Sequence, residues 1–248
     1  MSRYDRDISI MKILALDSSG LVASVAIVTE DSMLAEYTVN YKKTHSQTLL
    51  PMLNEIVKMV DINMDEVDAI AVAAGPGSFT GLRIGSATAK GLGLALNKPV
   101  VAVPTLDGLA YNLYGTKKLV CPLMDARRNQ VYTGLYDFAG EELRVIKKQA
   151  AMDVEELIED INSLGREVIF LGDGTAVYRE IITAKMKTLY SFAPVHLSRQ
   201  RAGAIGALGL ELYKKEQFES AAIHEPVYLR VSQAERERAE KLQQQGLE

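Results

Sequence analysis

Short, largely apolar stretches separated by polar turns fill the first part of the chain. Lys12–Leu16 is mostly apolar, Val22–Val28 alternates in part, and Met33–Tyr41 alternates clearly between apolar and polar side chains. Each stretch has the length and the period of a β-strand. Because only short turns at 17–20 and 30–32 separate them, the pattern predicts a meander of paired strands.

Two helices and two further strands are predicted next. Residues 47–60 place apolar side chains at helical spacing, and an apolar strand at 69–74 leads through a glycine-rich turn into a helix over 79–96. A strand at Pro99–Val103 follows, and another helix begins near Thr105. The predicted order of the first half is therefore β-β-β-α-β-α-β-α.

A similar order of elements returns from about residue 118. The two halves share no strong sequence identity, but the repeated order predicts an α/β protein of two duplicated βββαβα subdomains. The predicted elements of the second half, three strands, a helix, a strand and a helix, are Leu119–Met124, Val131–Phe138, Arg144–Gln149, Asp153–Asn162, Val168–Leu171 and about Ala176–Met186.

The expected domain boundaries follow from this repeat. We expect an N-terminal subdomain over 11–108 and a C-terminal subdomain over 109–199. A helix at about 200–216 carries apolar and small residues over much of its surface and is expected to pack back on the first subdomain. Residues 1–10 are expected to be an extension outside the fold, and residues 217–248 a C-terminal segment with a charged tail.

Composition narrows the class of protein. The chain has 48% hydrophobic and 24% charged residues, as ordinary globular proteins do, and its net charge of −4 argues against strong autonomous binding to RNA. Cys121 is the single cysteine, which excludes an internal disulfide and fits a reducing cytoplasm. No apolar run approaches the ~20 residues of a membrane span, so we expect a cytoplasmic protein that binds no membrane.

The run GPGSFTGLRIG at 75–85 is the most informative stretch. A strand, a glycine-rich turn and a helix N-terminus can present free N–H groups to an anion, or the same glycines can serve a tight turn and close helix packing. The run contains no P-loop pattern, and its third glycine, Gly81, comes one residue too late for the dinucleotide fingerprint. It therefore matches neither standard nucleotide motif.

Small residues recur every four positions along the helix that this run opens. Glycine costs ~1 kcal/mol relative to alanine inside a helix, so a close contact must compensate for it. Either the helix lies tightly on its own sheet or it forms a subunit interface, and the apolar stripe of helix 47–60 supports the second interpretation. The predicted interface residues are Leu49, Leu53, Ile56, Val60, Gly81, Gly85, Ala89 and Gly93.

Turns that follow predicted strands supply the candidate nucleotide-binding residues. Asp17 and Asp125 end equivalent strands of the two halves, so their carboxylates are expected to face each other across a cleft, where they could hold Mg²⁺ or orient a phosphate. The turn at 17–20 could equally be only a turn, and the one at 172–174 could admit a nucleoside or merely end a strand. The candidates are Asp17, Ser18, Ser19, Asp125, Gly172 and Gly174.

Neither catalytic residues nor metal ligands are predicted. Leu49 stands four residues after His45, and neither His196 nor His224 completes a His-x-x-x-His pair. The sequence also lacks a Gly-x-Ser-x-Gly elbow for a serine nucleophile. Cys121 lies in an apolar run and is expected to be buried and inert.

Four motifs together resemble the TsaB (YeaZ) family: DSS at 17–19, GPGSFTGLRIG at 75–85, AKGL at 89–92 and PVYLR at 226–230. The resemblance covers most of the chain between the two termini. It implies the ASKHA fold of actin, sugar kinases and Hsp70. It also implies a part in making N6-threonylcarbamoyladenosine at position 37 of tRNAs that read codons beginning with A.

The resemblance further implies partners rather than an activity of the chain itself. The family is similar to TsaD, which carries the transferase active site, and the implied role is a non-catalytic subunit that scaffolds and activates TsaD. Helices 47–60 and 79–96 would form the heterodimer with TsaD, or a homodimer when the chain is alone. The ATPase TsaE would join the assembly, and tRNA would be met only through the complex.

Cofactor expectations also come from the resemblance. TsaD binds its metal through a histidine pair of which only His45 has a counterpart here, so no metal is expected. ATP or ADP with Mg²⁺ is expected to bind weakly or not at all. The alternatives are an active ATP-dependent enzyme of the same fold, using Asp17 and Asp125 around Mg²⁺, and a metallopeptidase.

Overall fold

A computed structural model describes residues 10–41 and 45–230. These residues form two five-stranded sheets and six α-helices, with a short 3-10 helix at Met64–Glu66. The strands are β1 Lys12–Asp17, β2 Ala23–Thr29, β3 Met33–Val39, β4 Ala69–Gly75, β5 Val100–Pro104, β6 Leu119–Asp125, β7 Gln130–Ala139, β8 Glu142–Asp153, β9 Val168–Leu171 and β10 Tyr190–Phe192; the helices are α1 His45–Val60, α2 Phe79–Leu96, α3 Thr105–Tyr111, α4 Val154–Leu164, α5 Gly174–Lys185 and α6 Ala202–Lys214.

The two sheets repeat one arrangement. The first sheet has the order β3-β2-β1-β4-β5, and the second has β10-β9-β6-β7-β8, which is the same order for equivalent strands. In both, the first three strands are antiparallel and the last two join parallel to the first. The predicted duplicated βββαβα architecture is therefore confirmed. The strand β10 was missed, because its three residues are too few to show a period.

Helices cover both faces of the first sheet. Because successive side chains of a strand point to opposite faces, Leu14 and Leu16 pack under α1 and α2, while Ile13 and Ala15 pack under α6. α6 contributes buried side chains such as Ile205, so a helix from the end of the chain completes the core of the first half. The domain boundaries inferred from the sequence stay predictions.

The second sheet is covered in the same way by α4 and α5 on one face. Its other face packs against α3, the helix that connects the two sheets. On that side the hydroxyl of Tyr136 donates a hydrogen bond of 2.8 Å to Asp107. The carboxyl of Asp107 is largely buried, and this burial raises its pKa. Among the described residues, no helix is both long and apolar enough to cross a bilayer.

After α6 the chain returns along the first half as an irregular segment with a turn at 221–223; we call its residues 219–230 the strap. Glu219 forms an antiparallel bridge with Val100 at the free edge of β5. The N–H of Val227 donates to the carbonyl of Ala74 at 2.7 Å, at the end of β4. The strap thus ties the edge of the first sheet to its centre. Residues 1–9 and 231–248, predicted as extension and tail, lie outside the described residues.

Candidate functional site

A cavity of about 590 Å³ lies between the turn after β1 and the turn after β6. The ends of equivalent strands from both sheets therefore face the same space, but of the two carboxylates expected to face each other across it, only Asp125 lines the cavity. The beginning of α1, the glycine-rich run and the residue before α5 complete its wall. The side chains in this wall include Ser19, His45, Asp125, Arg127 and Asp173.

Asp17 lies behind this cavity rather than in it. The residue is 1% exposed, and its Oδ1 accepts hydrogen bonds from the N–H and the hydroxyl of Ser19 at 2.9 and 2.7 Å. Burial raises the pKa of Asp17 to about 6, although the Ser19 hydrogen bonds and the charge of His45 oppose the shift. The carboxylate thus organises its own turn, as the alternative of a plain turn requires.

The glycine-rich run packs against that turn with its backbone. A Cβ on Gly77 would lie 2.2 Å from the carbonyl oxygen of Ser19, and one on Gly81 would lie 2.0 Å from that of Ser18. The N–H of Ser78 donates to the Ser19 carbonyl at 2.6 Å, and the Ser18 hydroxyl donates to the Gly81 carbonyl at 2.9 Å. These groups are engaged within the chain, which favours the tight turn over the anion cradle.

The second half leaves its carboxylates nearer to the cavity. Oδ1 of Asp125 accepts from the N–H of Arg127 at 2.8 Å and from the hydroxyl of Tyr178 at 3.1 Å. Asp173 stands immediately before α5, and its buried Oδ1 has no hydrogen-bond partner among the described residues. Burial raises the pKa of Asp173, and the charge of Asp125 adds to the rise while Arg199 opposes it. A donor group placed here would satisfy that oxygen.

Gly172 and Gly174 do not contact the cavity. Gly172 has φ of +100°, and a Cβ on it would lie 2.0 Å from the carbonyl oxygen of Leu123. A Cβ on Gly174 would lie 3.1 Å from the same oxygen. Both glycines therefore let the turn approach β6 closely, which is the structural alternative weighed for them.

The surroundings of His45 and Cys121 are those of residues that maintain the fold. Nε2 of His45 lies 2.9 Å from the carbonyl oxygen of Gly20, and Leu49 one turn later is 1% exposed in the core. Burial raises the pKa of the Cys121 thiol to about 12, so the prediction of a buried cysteine is confirmed. Within residues 10–41 and 45–230, no three histidine, cysteine or acidic side chains are grouped as metal ligands.

The predicted interface residues lie inside the chain's own core, which corrects that prediction. A Cβ on Gly85 would lie 2.5 Å from Oγ of Ser18, and one on Gly93 would lie 2.6 Å from Cβ of Ala221. The small side of α2 therefore faces its own sheet and strap, the alternative that the sequence left open. Leu49, Leu53, Ile56, Gly81, Gly85, Ala89 and Gly93 are buried, and Val60 packs partly buried against the same core.

The side of α2 opposite that stripe is exposed, and both helices carry exposed apolar or small residues. On α1, Leu50 is 52% and Met59 82% exposed; on α2, Leu94 is 57% exposed. Ala87 and Gly91 are also exposed, and a Cβ on Gly91 would meet nothing within 4 Å. Leu50 and Met59 are nine residues apart on α1, which is two and a half turns, so they lie on different sides of that helix. Ala87, Gly91 and Leu94 share one side of α2, and we call these three residues the outer helix face. Their spacing was visible in the sequence, but the prediction followed the small residues at 81, 85, 89 and 93, which lie on the buried side of α2.

Of the six candidate nucleotide-binding residues, the structure brings Ser19 and Asp125 to the cavity wall. The other four support the turns from behind. Sequence reasoning missed Asp173 as a wall residue, although its place before a helix between two glycines was a usable signal. It also missed the buried contact between Ser86 and His224, because 138 residues separate them.

Two copies of a five-stranded mixed sheet, joined with a cavity between equivalent turns, define a protein with an ASKHA-like fold. Solved structures agree: YeaZ from Pseudomonas aeruginosa matches with a TM-score of 0.77 at 29% identity, over 89% of this chain and 100% of that one. The family model described as TsaD, tRNA N6-adenosine threonylcarbamoyltransferase, matches residues 32–238.

The chain belongs to the TsaB family. It is 34% identical over 227 residues to the tRNA threonylcarbamoyladenosine biosynthesis protein TsaB of Bacillus subtilis, covering 91% of this chain and 96% of that protein. The Escherichia coli protein of the same name is 29% identical over 180 residues, 69% of this chain and 75% of that protein. The resemblance inferred from the four sequence motifs is confirmed.

Proposed function

We propose that this chain contributes to the synthesis of threonylcarbamoyladenosine in tRNA as a non-catalytic subunit that binds and activates a TsaD-type transferase. Involvement in this pathway rests on membership of the TsaB family. The absence of a catalytic role of its own is supported by the first-half turn, where Asp17 accepts from the Ser19 hydroxyl, the Ser18 hydroxyl donates to the Gly81 carbonyl and the Ser78 N–H donates to the Ser19 carbonyl.

The observation that carries the binding role is Gly91. Glycine in a helix interior costs ~1 kcal/mol relative to alanine, yet this position is exposed and has room for a Cβ. Nothing in the fold of the described chain therefore requires glycine there. A second helix that approached the outer helix face would require it, because small residues four positions apart at Ala87 and Gly91 let two backbones come close.

Exposed apolar side chains on both helices fit the same role. Leu50, Met59 and Leu94 are each more than half exposed, and burial against a partner would remove this apolar surface from water. The partner we propose is TsaD itself, whose family model matches most of this chain, so that two related pairs of helices would meet. In the absence of TsaD, two copies of this chain would pair through the same face, and TsaE would join the heterodimer.

The test is a Gly91→Arg variant, with Val177→Arg as its matched control. Val177 lies on α5 of the second half and is 58% exposed, so both changes place an arginine on an exposed helix. We expect Gly91→Arg to weaken binding of the organism's TsaD at least tenfold in calorimetry and to remove tRNA modification in a reconstituted reaction. Val177→Arg should bind and support modification as the unchanged chain does. Equal behaviour of both variants would contradict the proposal.

Nucleotide binding is a second candidate function, favoured by the free Oδ1 of Asp173. The cavity is large enough for a nucleotide, and Asp125 and Asp173 line it together with Arg127. Two carboxylates are ligands that Mg²⁺ accepts, and a phosphate would require the cation between them. We expect calorimetry with Mg-ATP to give weak binding that Asp173→Asn reduces. Tight binding with turnover would favour an ATP-dependent enzyme over a scaffold.

A further inference from the structure

The strap runs beside α2 in the opposite direction and touches it at three levels. Ala221 packs against Gly93, His224 contacts Ser86, and Tyr228 stacks on Phe79. These helix positions are seven residues apart, which corresponds to about 10 Å along the axis. The three strap residues are three and four positions apart, in a segment that turns at 221–223 and has no regular structure from 224 to 228.

A buried polar contact holds the middle of the strap. Nε2 of His224 lies 3.1 Å from Oγ of Ser86, and Nδ1 lies 2.6 Å from Oε1 of Glu219. The order serine, histidine, carboxylate is that of a hydrolase triad. However, His224 is 2% and Ser86 5% exposed, so a substrate carbonyl cannot reach the hydroxyl. The contact therefore holds the strap on the helix.

Aromatic contacts hold the end of the strap next to the outer helix face. The rings of Phe79 and Tyr228 are 4.6 Å apart, and the Arg83 guanidinium lies 4.1 Å above the Phe79 ring. Nε of Arg83 also donates to the Tyr228 hydroxyl at 3.3 Å. Arg83 stands four residues before Ala87 on α2, so this cluster joins the strap to the outer helix face.

Between its buried anchors the strap exposes apolar side chains. Ile223 is 67% exposed, Val227 50% and Tyr228 38%, whereas Ala221 and His224 are almost fully buried. Each anchor fixes the backbone, so the neighbouring apolar residues are held outward.

We infer that the strap is the second half of the docking surface for the TsaD-type partner, with Ile223 and Val227 as contact residues and Ser86–His224 as the positioning contact. This inference rests on the proposed function. It is supported by the contacts of Arg83, which lies one turn from Ala87 on α2 and joins the outer helix face to Tyr228 of the strap. The matching partner surface is a helix pair with apolar side chains and a carboxylate that faces Arg83.

The first test is an Ile223→Glu variant, with Val195→Glu as its control. Val195 is 91% exposed in the second half, so the same charge is added without disturbing a core. We expect Ile223→Glu to weaken binding of TsaD at least tenfold in calorimetry, while Val195→Glu leaves it unchanged. Loss of binding in Gly91→Arg but not in Ile223→Glu would overturn the strap inference alone. Normal binding in both would overturn the proposed function as well.

The second test addresses the positioning contact through Ser86→Ala. Alanine keeps the helix and the packing but removes the group that faces Nε2 of His224. We expect faster hydrogen exchange of the amides at 221–228 and a three- to tenfold weaker complex, with slow exchange retained in β1 and β4. Unchanged affinity despite faster exchange would show that the held strap does not matter for binding and would overturn the positioning role.

Discussion

The turns after β1 and after β6 occupy equivalent places in the two halves, but only one of them is closed. After β1, the glycine-rich run packs its backbone on Ser18 and Ser19, and Asp17 is 1% exposed. After β6, Asp125 remains partly exposed beside Arg127 and Arg128. The two duplicated turns can therefore keep equivalent places in the fold although one is closely packed by the glycine-rich run and the other stays open to solvent.

The backbones of the two turns differ in the same sense. The glycine-rich run has Gly77 and Gly81 where a side chain would collide with the backbone of the first turn. In the second turn, Arg127, Arg128 and Asn129 all have left-handed φ values, of 63°, 58° and 59°. Such values cost side-chain-bearing residues roughly 1–2 kcal/mol each. The first turn uses glycine to become tight, while the second retains side chains at a conformational cost.

The largest effect is expected from Gly81→Ala, which would break the closed turn. Its Cβ would lie 2.0 Å from a backbone oxygen that cannot move alone, so we expect a loss of about 3 kcal/mol in the free energy of unfolding. Urea unfolding measures the change. The control is Gly91→Ala on the same helix, where open space predicts a gain of up to ~1 kcal/mol. Similar values for both would contradict the close packing.

The next effect concerns the buried carboxylate of the closed turn. Its pKa rises from 3.8 to about 6 on folding, so the folded state binds more protons and stability falls as pH rises through that window. A rise of two pKa units corresponds to a loss of about 3 kcal/mol in the free energy of unfolding, and this loss is complete above about pH 6. We expect Asp17→Asn, whose amide oxygen still accepts from Ser19, to lack this loss. A stability difference between the two proteins that is independent of pH would disprove the burial cost.

The smallest effect is expected in the open turn. Arg128→Gly should raise the free energy of unfolding by about 1 kcal/mol, because glycine adopts a φ of 58° without strain. Arg128→Ala removes the same charge but keeps the strain, so it should not stabilise. Thermal unfolding of both variants distinguishes the two causes. If alanine stabilised as much as glycine, charge rather than conformation would be responsible.

The same comparison shows what the sequence could reveal. The period of the hydrophobic residues located almost every helix and strand. The strand-ending Asp17 and Asp125 indicated equivalent turns, but not that Asp17 would be buried behind the cavity that Asp125 lines. The four-residue spacing from Gly81 to Gly93 identified one side of α2 but not what covers it, since the covering residues Ser18 and Ala221 are distant in the chain. Periodicity is a local property, whereas the direction in which a face points depends on tertiary packing.

α6 has a consequence for the order in which the molecule is made. The strands of the first sheet are synthesised before Pro104, yet one of their apolar faces is covered only by residues Ala202–Lys214. At ribosomal speed the interval is roughly 5–20 s. Throughout that time the nascent first half exposes Ile13, Ala15 and their neighbours, so it is a candidate client for chaperones that recognise apolar surface. Completion of this core must therefore wait until α6 has been synthesised.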